Sequence, residues 1–179
     1  MDDFIGKLLV IILAVFMLFI GPIMIITLKQ DNNIQSYVDD CTQEFVSKAR
    51  STGYISTQNY LDLLDSLDST GILFEVHITH SKRRVEPVFD EVTGEATGDF
   101  EIHYTDYTKS DIETIIFPPD ISAYTANEKY VMNNGDYIQV TVQNRTPSFG
   151  TKMMQLFNTA YEGKNILTSS GGYIGNTAQ

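Results

Sequence analysis

Two histidines occupy matched settings, Glu75-Val76-His77 and Glu101-Ile102-His103, each inside a run that alternates apolar and polar residues. Side chains alternate across a strand, so a Glu two residues before a His shares its face. If the two strands are antiparallel neighbours, His77, His103, Glu75 and Glu101 could offer four nitrogen and oxygen ligands to Zn²⁺ or another divalent ion. The more economical reading is polar alternation on the solvated side of a sheet, where cross-strand pairs help to fix register. Structural zinc usually brings thiolates or closely spaced histidines, and the chain has a single cysteine, Cys41. These four residues are weak metal candidates only, and no cofactor is expected.

Other chemistry finds less support. There is no Gly-x-Ser-x-Gly, His-Glu-x-x-His, Gly-x-x-x-x-Gly-Lys or Gly-x-Gly-x-x-Gly. The carboxylate pairs Asp39-Asp40, Asp62 with Asp65, and Asp90-Glu91 fall on polar helix faces or in loops. Raising a carboxyl pKa needs burial, which those settings do not offer. Cys41 has no His or basic neighbour to stabilise a thiolate and reads as a small buried apolar residue. Lys82-Arg83-Arg84 reads as a solvated strand edge that resists strand addition, with contact to anionic lipid as the rival reading. Asn144-Arg145-Thr146 fits a glycosylation sequon, which matters only in a cell that uses it. An enzyme is not expected. Nor is a nucleic-acid partner, because 12 Lys+Arg against 23 Asp+Glu leave a net charge of -11, and phosphate binding needs clustered positive charge.

The elements that must position these residues begin with an uncharged window that opens on Leu8 and closes on Leu28. It holds 21 residues, of which all but Gly21, Pro22 and Thr27 are apolar. As a helix it would rise roughly 31 Å, against the ~30 Å hydrocarbon core of a bilayer. A cleavable signal peptide would want a basic start, a shorter apolar stretch and small residues at the cut. Here the chain begins Met1-Asp2-Asp3-Phe4, and bulky residues follow Gly21-Pro22. The expectation is a retained anchor that contacts the bilayer through Leu8 to Leu28 and keeps Met1 or begins at Asp2, with a kink at Pro22. Lys7 and Lys29 flank the window on either side, so positive charge does not set its orientation.

Two parts are therefore expected: an N-terminal tail with a transmembrane helix over 1–28, and an acidic α+β domain over 29–179. Within the second, 29–50 continues the anchor as an amphipathic helix, since Ile34, Tyr37, Val38, Cys41, Phe45 and Ala49 recur at three- and four-residue steps. Gly53 suits a helix exit. A helix over 57–68 follows, with Ser56 as its cap and Gly71 as its stop. Residues 72–80 read as a strand with Ile72, Phe74, Val76 and Ile78 inward. Pro87 makes 85–89 an edge strand at best, and 91–98 (EVTGEATG) reads as a mobile hairpin loop. Residues 100–104 form a second strand, and a helix over 108–117 opens with Thr108-x-x-Asp111 and stops at Pro118-Pro119. Asn133-Asn134-Gly135-Asp136 predicts a tight hairpin before a strand over 137–143 with Ile138, Val140 and Val142 inward. An amphipathic stretch over 151–161 precedes a Ser/Gly-rich tail over 168–175. The predicted fold class is α+β, a long N-terminal helix against a small antiparallel sheet with short helices.

This layout resembles the type IV pilin-like proteins, more specifically the TadE-type minor pseudopilins of bacterial tight-adherence systems and their membrane-anchored relatives from Gram-positive bacteria. The residues carrying the likeness are 45–50 with Thr52-Gly53-Tyr54-Ile55, Thr70-Gly71 leading into 74–80, residues 130–137 with Val140-Thr141-Val142, and Gly171-Gly172-Tyr173-Ile174-Gly175-Asn176. The resemblance spans most of the chain. It implies a pilin-like fold and a cell-membrane protein whose N-terminus is inside and whose domain is extracytoplasmic. It also implies protein partners in a pilus-like or secretion assembly. Prepilins carry Gly before the cleavage point and Glu five residues into the mature helix; here Lys7 follows Gly6, and position 11 is Ile. The departure implies an accessory subunit more than a main filament subunit. The alternative is an anchored extracytoplasmic ligand-binding or sensing module.

Overall fold

The computed structural model describes residues 2–90, 93–118, 128–157 and 159–175, with the backbone alone at 2, 3, 20, 23, 24, 27, 28 and 157. The chain order is α1 (Asp2–Thr52), β1 (Tyr54–Ser56), α2 (Thr57–Asp68), β2 (Phe74–Phe89), β3 (Ala96–Thr108), α3 (Lys109–Ile116), β4 (Lys129–Val131), β5 (Tyr137–Asn144), α4 (Phe149–Phe157) and β6 (Leu167–Tyr173). The fold is α+β, as expected. Its main sheet has the order β3-β2-β5-β6 and is antiparallel throughout, and β1 pairs with β4 in a second small sheet.

Helix α1 is 51 residues long and passes through Pro22 without a break. Among the described residues, no helix is long and apolar enough to cross a membrane. The expected anchor over 8–28 includes positions 20, 23, 24, 27 and 28, whose side chains lie outside the described residues, as does Met1. The described apolar side chains between positions 4 and 26 are exposed, Phe4 at 72% and Leu18 at 70% among them. Further along, the helix becomes one-sided: Val38, Thr42, Phe45, Val46 and Ala49 are buried at the spacing of a single helical stripe. Gly53, at φ 74°, provides the left-handed exit.

That stripe, with Tyr60, Leu63 and Leu67 of α2 and Ile112 and Ile116 of α3, joins Val76 and Ile78 of β2 and Ile138, Val140 and Val142 of β5 in one core. Full burial of each such side chain is worth about 1.5–3 kcal/mol, enough to hold the helices to one face of the sheet. Ser56 caps α2 as expected, its hydroxyl accepting from the Asn59 N–H at 3.2 Å. At the start of α3 the Asp111 carboxylate accepts from the Thr108 N–H at 2.8 Å, which holds its pKa below the ordinary carboxylate value.

The polarity of α1 follows from two contacts: the Gln35 amide donates to the Leu167 carbonyl, and Arg50 Nε to that of Tyr173. Helix α1 therefore runs parallel to β6. Antiparallel pairing onward through β5 puts the Phe74 end of β2 at the level of Gln35, the end nearer the start of α1, and the Ser81 end at the level of Arg50.

Four expectations are corrected. Strand β2 does not stop at His80 but continues through Pro87 to Phe89. Beyond Ser81 its one neighbour is β3, with a register shift between Pro87 and Phe89; a strand hydrogen-bonded on one side tolerates proline. Of the loop expected at 91–98, residues 96–98 belong to β3, and Glu91 and Val92 lie outside the described residues. The Asn-Gly turn is tight, with Gly135 at φ 87° and the Asp136 N–H donating to the Asn133 carbonyl at 3.1 Å. It is not a hairpin, because β4 pairs with β1 while β5 pairs with β2 and β6. The Ser/Gly tail is no loose end but strand β6, paired with β5 from Leu167 to Tyr173.

Candidate functional site

The register of β2 and β3 decides the metal candidates. His103 lies opposite Arg84, seven residues along β2 from His77, a separation of about 23 Å at the strand rise. An odd number of residues also puts the two histidines on opposite faces. Each His keeps its own glutamate at 3.6 Å, His77 with Glu75 and His103 with Glu101, all four side chains well exposed. Glu75 further accepts from Arg145 Nε at 2.9 Å. Among the described residues, no three His, Cys, Asp or Glu side chains gather so as to hold a metal ion. The strands are neighbours, as the sequence argument supposed, but their register is not the one that would join the ligands.

The structure singles out the third histidine instead. His80 follows Val76 and Ile78 on the buried face of β2 and is 1% exposed. Its Nε2 lies 3.0 Å from Asp136 Oδ2 and its Nδ1 2.7 Å from the Tyr130 hydroxyl. A carboxylate only accepts, so Nε2–H donates to Asp136, and Nδ1 then accepts from the tyrosine O–H. Asp136, itself 1% exposed, also accepts from the Arg83 N–H at 2.9 Å and the Asn133 N–H at 2.7 Å. Burial lowers the His80 pKa, outweighing the attraction of Asp136, so its ring is neutral in the fold. The Tyr130 hydroxyl is pushed up to about 12, by burial first and then by Tyr107 and Asp136. Both ring nitrogens are engaged, which leaves none free to take a proton from a substrate. The trio instead joins β2, β4 and the turn before β5.

The Tyr107 ring stacks on that of His80 at 5.8 Å, and Tyr130 meets it edge-on at 5.4 Å. In front of these rings opens a cleft of about 310 Å³, flanked by Lys82 and Lys129 and lined on its apolar side by Ile115 and Val131. Lys129 Nζ sits 4.3 Å over the Tyr54 ring. Sequence reasoning missed His80 although the signal was present: extending the apolar face of the strand by one step past Ile78 lands on it.

Asp31 lies on the packed stripe of α1 at 2% exposure, and among the described residues neither carboxylate oxygen has a hydrogen-bond partner. Cys41 is a free, half-buried thiol beside Phe45 and Leu63 in a small groove between α1 and α2, consistent with packing. No family model, curated protein or solved structure matches this chain.

Proposed function

We propose that the chain is a non-enzymatic, single-pass membrane protein of pilin-like build, an accessory pseudopilin in the assembly or anchoring of a surface filament or secretion apparatus. One observation carries the reading. The two halves of α1 differ in kind: from Val38 onward its apolar side chains are covered by the domain, whereas between positions 4 and 26 the described ones are exposed. Exposed apolar surface of that extent marks a protein or membrane contact, and the uncharged window from Leu8 to Leu28 has the length of a bilayer span. At the far pole, the β2–β3 ribbon pairs Val85 with Ile102 and Pro87 with Phe100, all exposed, which supports a second protein contact away from the membrane. An anchored ligand-binding module is the second reading, favoured by the cleft beside His80.

The test is fractionation followed by cross-linking of the full chain in its native membranes. The protein should stay in the pellet through high-salt and alkaline washes and leave only with detergent, because release of a helical span is effectively irreversible. Cross-linking should then recover filament or secretion components. Release by salt would refute the anchor, and recovery of the protein alone would refute the assembly role.

A further inference from the structure

We infer that the cleft between β2, β3 and β4 binds a small organic anion, a carboxylate or phosphate on a body the size of one ring. The chain is acidic, with 23 Asp+Glu against 12 Lys+Arg, so cations without acidic partners are unexpected. Yet Lys82 and Lys129 both line one cleft, and among the described residues neither ammonium has a carboxylate partner, that of Lys129 resting on the Tyr54 ring. Two carboxylates close to His80 are turned elsewhere. Asp136 is buried behind His80 and already takes three donors. Asp106 pairs with Ser81 in the register, one residue away and on the other face of the ribbon, and accepts from its hydroxyl.

Between the two lysines the floor is aromatic. Tyr107 lies on His80, and His80 is locked by Asp136 and Tyr130, so the surface is preformed. The partly exposed Tyr107 ring suits the flat side of a sugar or aromatic body, while the ammonium groups take the anionic group. At about 310 Å³ the cleft sits at the small end of ligand sites, which run roughly 300–1,000 Å³. This inference is independent of the anchoring and assembly reading: a protein that joins no filament could hold the same cleft.

The experiment follows backbone amide shifts of the full chain in detergent micelles during titration with D-glucuronate, glucose 6-phosphate and, as the neutral control, D-glucose. One or both anions should give saturable shifts at Lys82, Tyr107, Lys129 and Asn133, with Kd in the millimolar range and weakening as salt screens the lysines. The arm that saturates names the anionic group as carboxylate or phosphate. Lys82→Gln with Lys129→Gln should weaken binding by about tenfold or more. Each single variant, which keeps one ammonium, should weaken it by about threefold, so the inference stays testable if the double variant fails to fold. No saturable shift with either anion up to about 20 mM would overturn the inference. So would equal shifts with glucose, or full binding by the Gln variants.

Discussion

Replacing Asp136 by alanine tests whether the buried trio holds the fold together. Its carboxylate accepts three hydrogen bonds, from His80 Nε2 at 3.0 Å, Arg83 N at 2.9 Å and Asn133 N at 2.7 Å. Hydrogen bonds to a charged acceptor contribute about 1.5–3 kcal/mol each, and removing the acceptor strands the donors. The three share one acceptor group and neighbours can relax, so the expected loss lies below the simple sum, at about 4 kcal/mol. A chain of this size loses about 2–4 °C of midpoint per kcal/mol, which gives a fall of roughly 8–16 °C. The assay is thermal unfolding of the full chain in detergent, followed by near-UV tyrosine circular dichroism, because the far-UV signal is dominated by α1. Asp136→Asn keeps one acceptor oxygen but turns an amide towards N–H donors, and should fall between. Asp106→Ala, on the exposed face, should shift the midpoint by no more than about 1 °C. A fall below about 3 °C for Asp136→Ala would refute the structural role of the trio.

Three further outcomes are expected. His80 has its pKa lowered by burial, so the unfolded chain takes the proton first. Its stabilising contribution is whole above the ordinary value of 6.5 and is lost as pH falls below it towards the depressed folded value; His80→Gln should flatten the pH dependence of the urea midpoint between about pH 7.5 and 5.5. Asp31→Leu removes a buried carboxylate that has no hydrogen-bond partner among the described residues and should stabilise the chain by about 1–3 kcal/mol in urea, whereas destabilisation would reveal a partner for it. A Cβ at Gly171 would meet Tyr137 Oη at 2.7 Å and the Ile138 carbonyl at 2.8 Å, so Gly171→Ala should cost about 1–3 kcal/mol. At Gly172 the obstruction is the movable Arg50 side chain, and the same substitution should cost less in the same thermal assay.

What was legible in the sequence was local. The stripe of α1, the Ser56 cap, the Asp111 contact at α3 and the inward face of β5 all follow from period and end chemistry within a few residues. What failed was pairing over distance. Asn134-Gly135 specifies a tight turn but not which strands flank it, and here β4 crosses to β1. The alternation of β2 shows two faces but not its register against β3, and that register separates His77 from His103. No strand is expected in the Ser/Gly-rich tail because Ser and Gly are poor strand formers. The two glycines are needed there because the Tyr137 and Arg50 side chains cross directly over Gly171 and Gly172, and nothing near the tail announces those neighbours. His80 was overlooked for a different reason, since a histidine at the end of an apolar face looks like the end of the strand.

The pairing of α1 with β6 has a consequence in time. Gln35 meets Leu167 across 132 residues of sequence, and Thr168 bonds Asp39 in the same place. A ribosome making about 5–20 residues per second needs roughly 7–26 s to supply the second partner after the first. Throughout that interval the inner stripe of α1 lacks β6, the strand it contacts most, and non-local contacts of this kind are slow to form even once both partners exist. A polypeptide halted before Leu167 would therefore carry a long helix whose inner stripe lacks the cover of β6. Such an intermediate is a ready target for chaperones and quality-control proteases until the last strand docks.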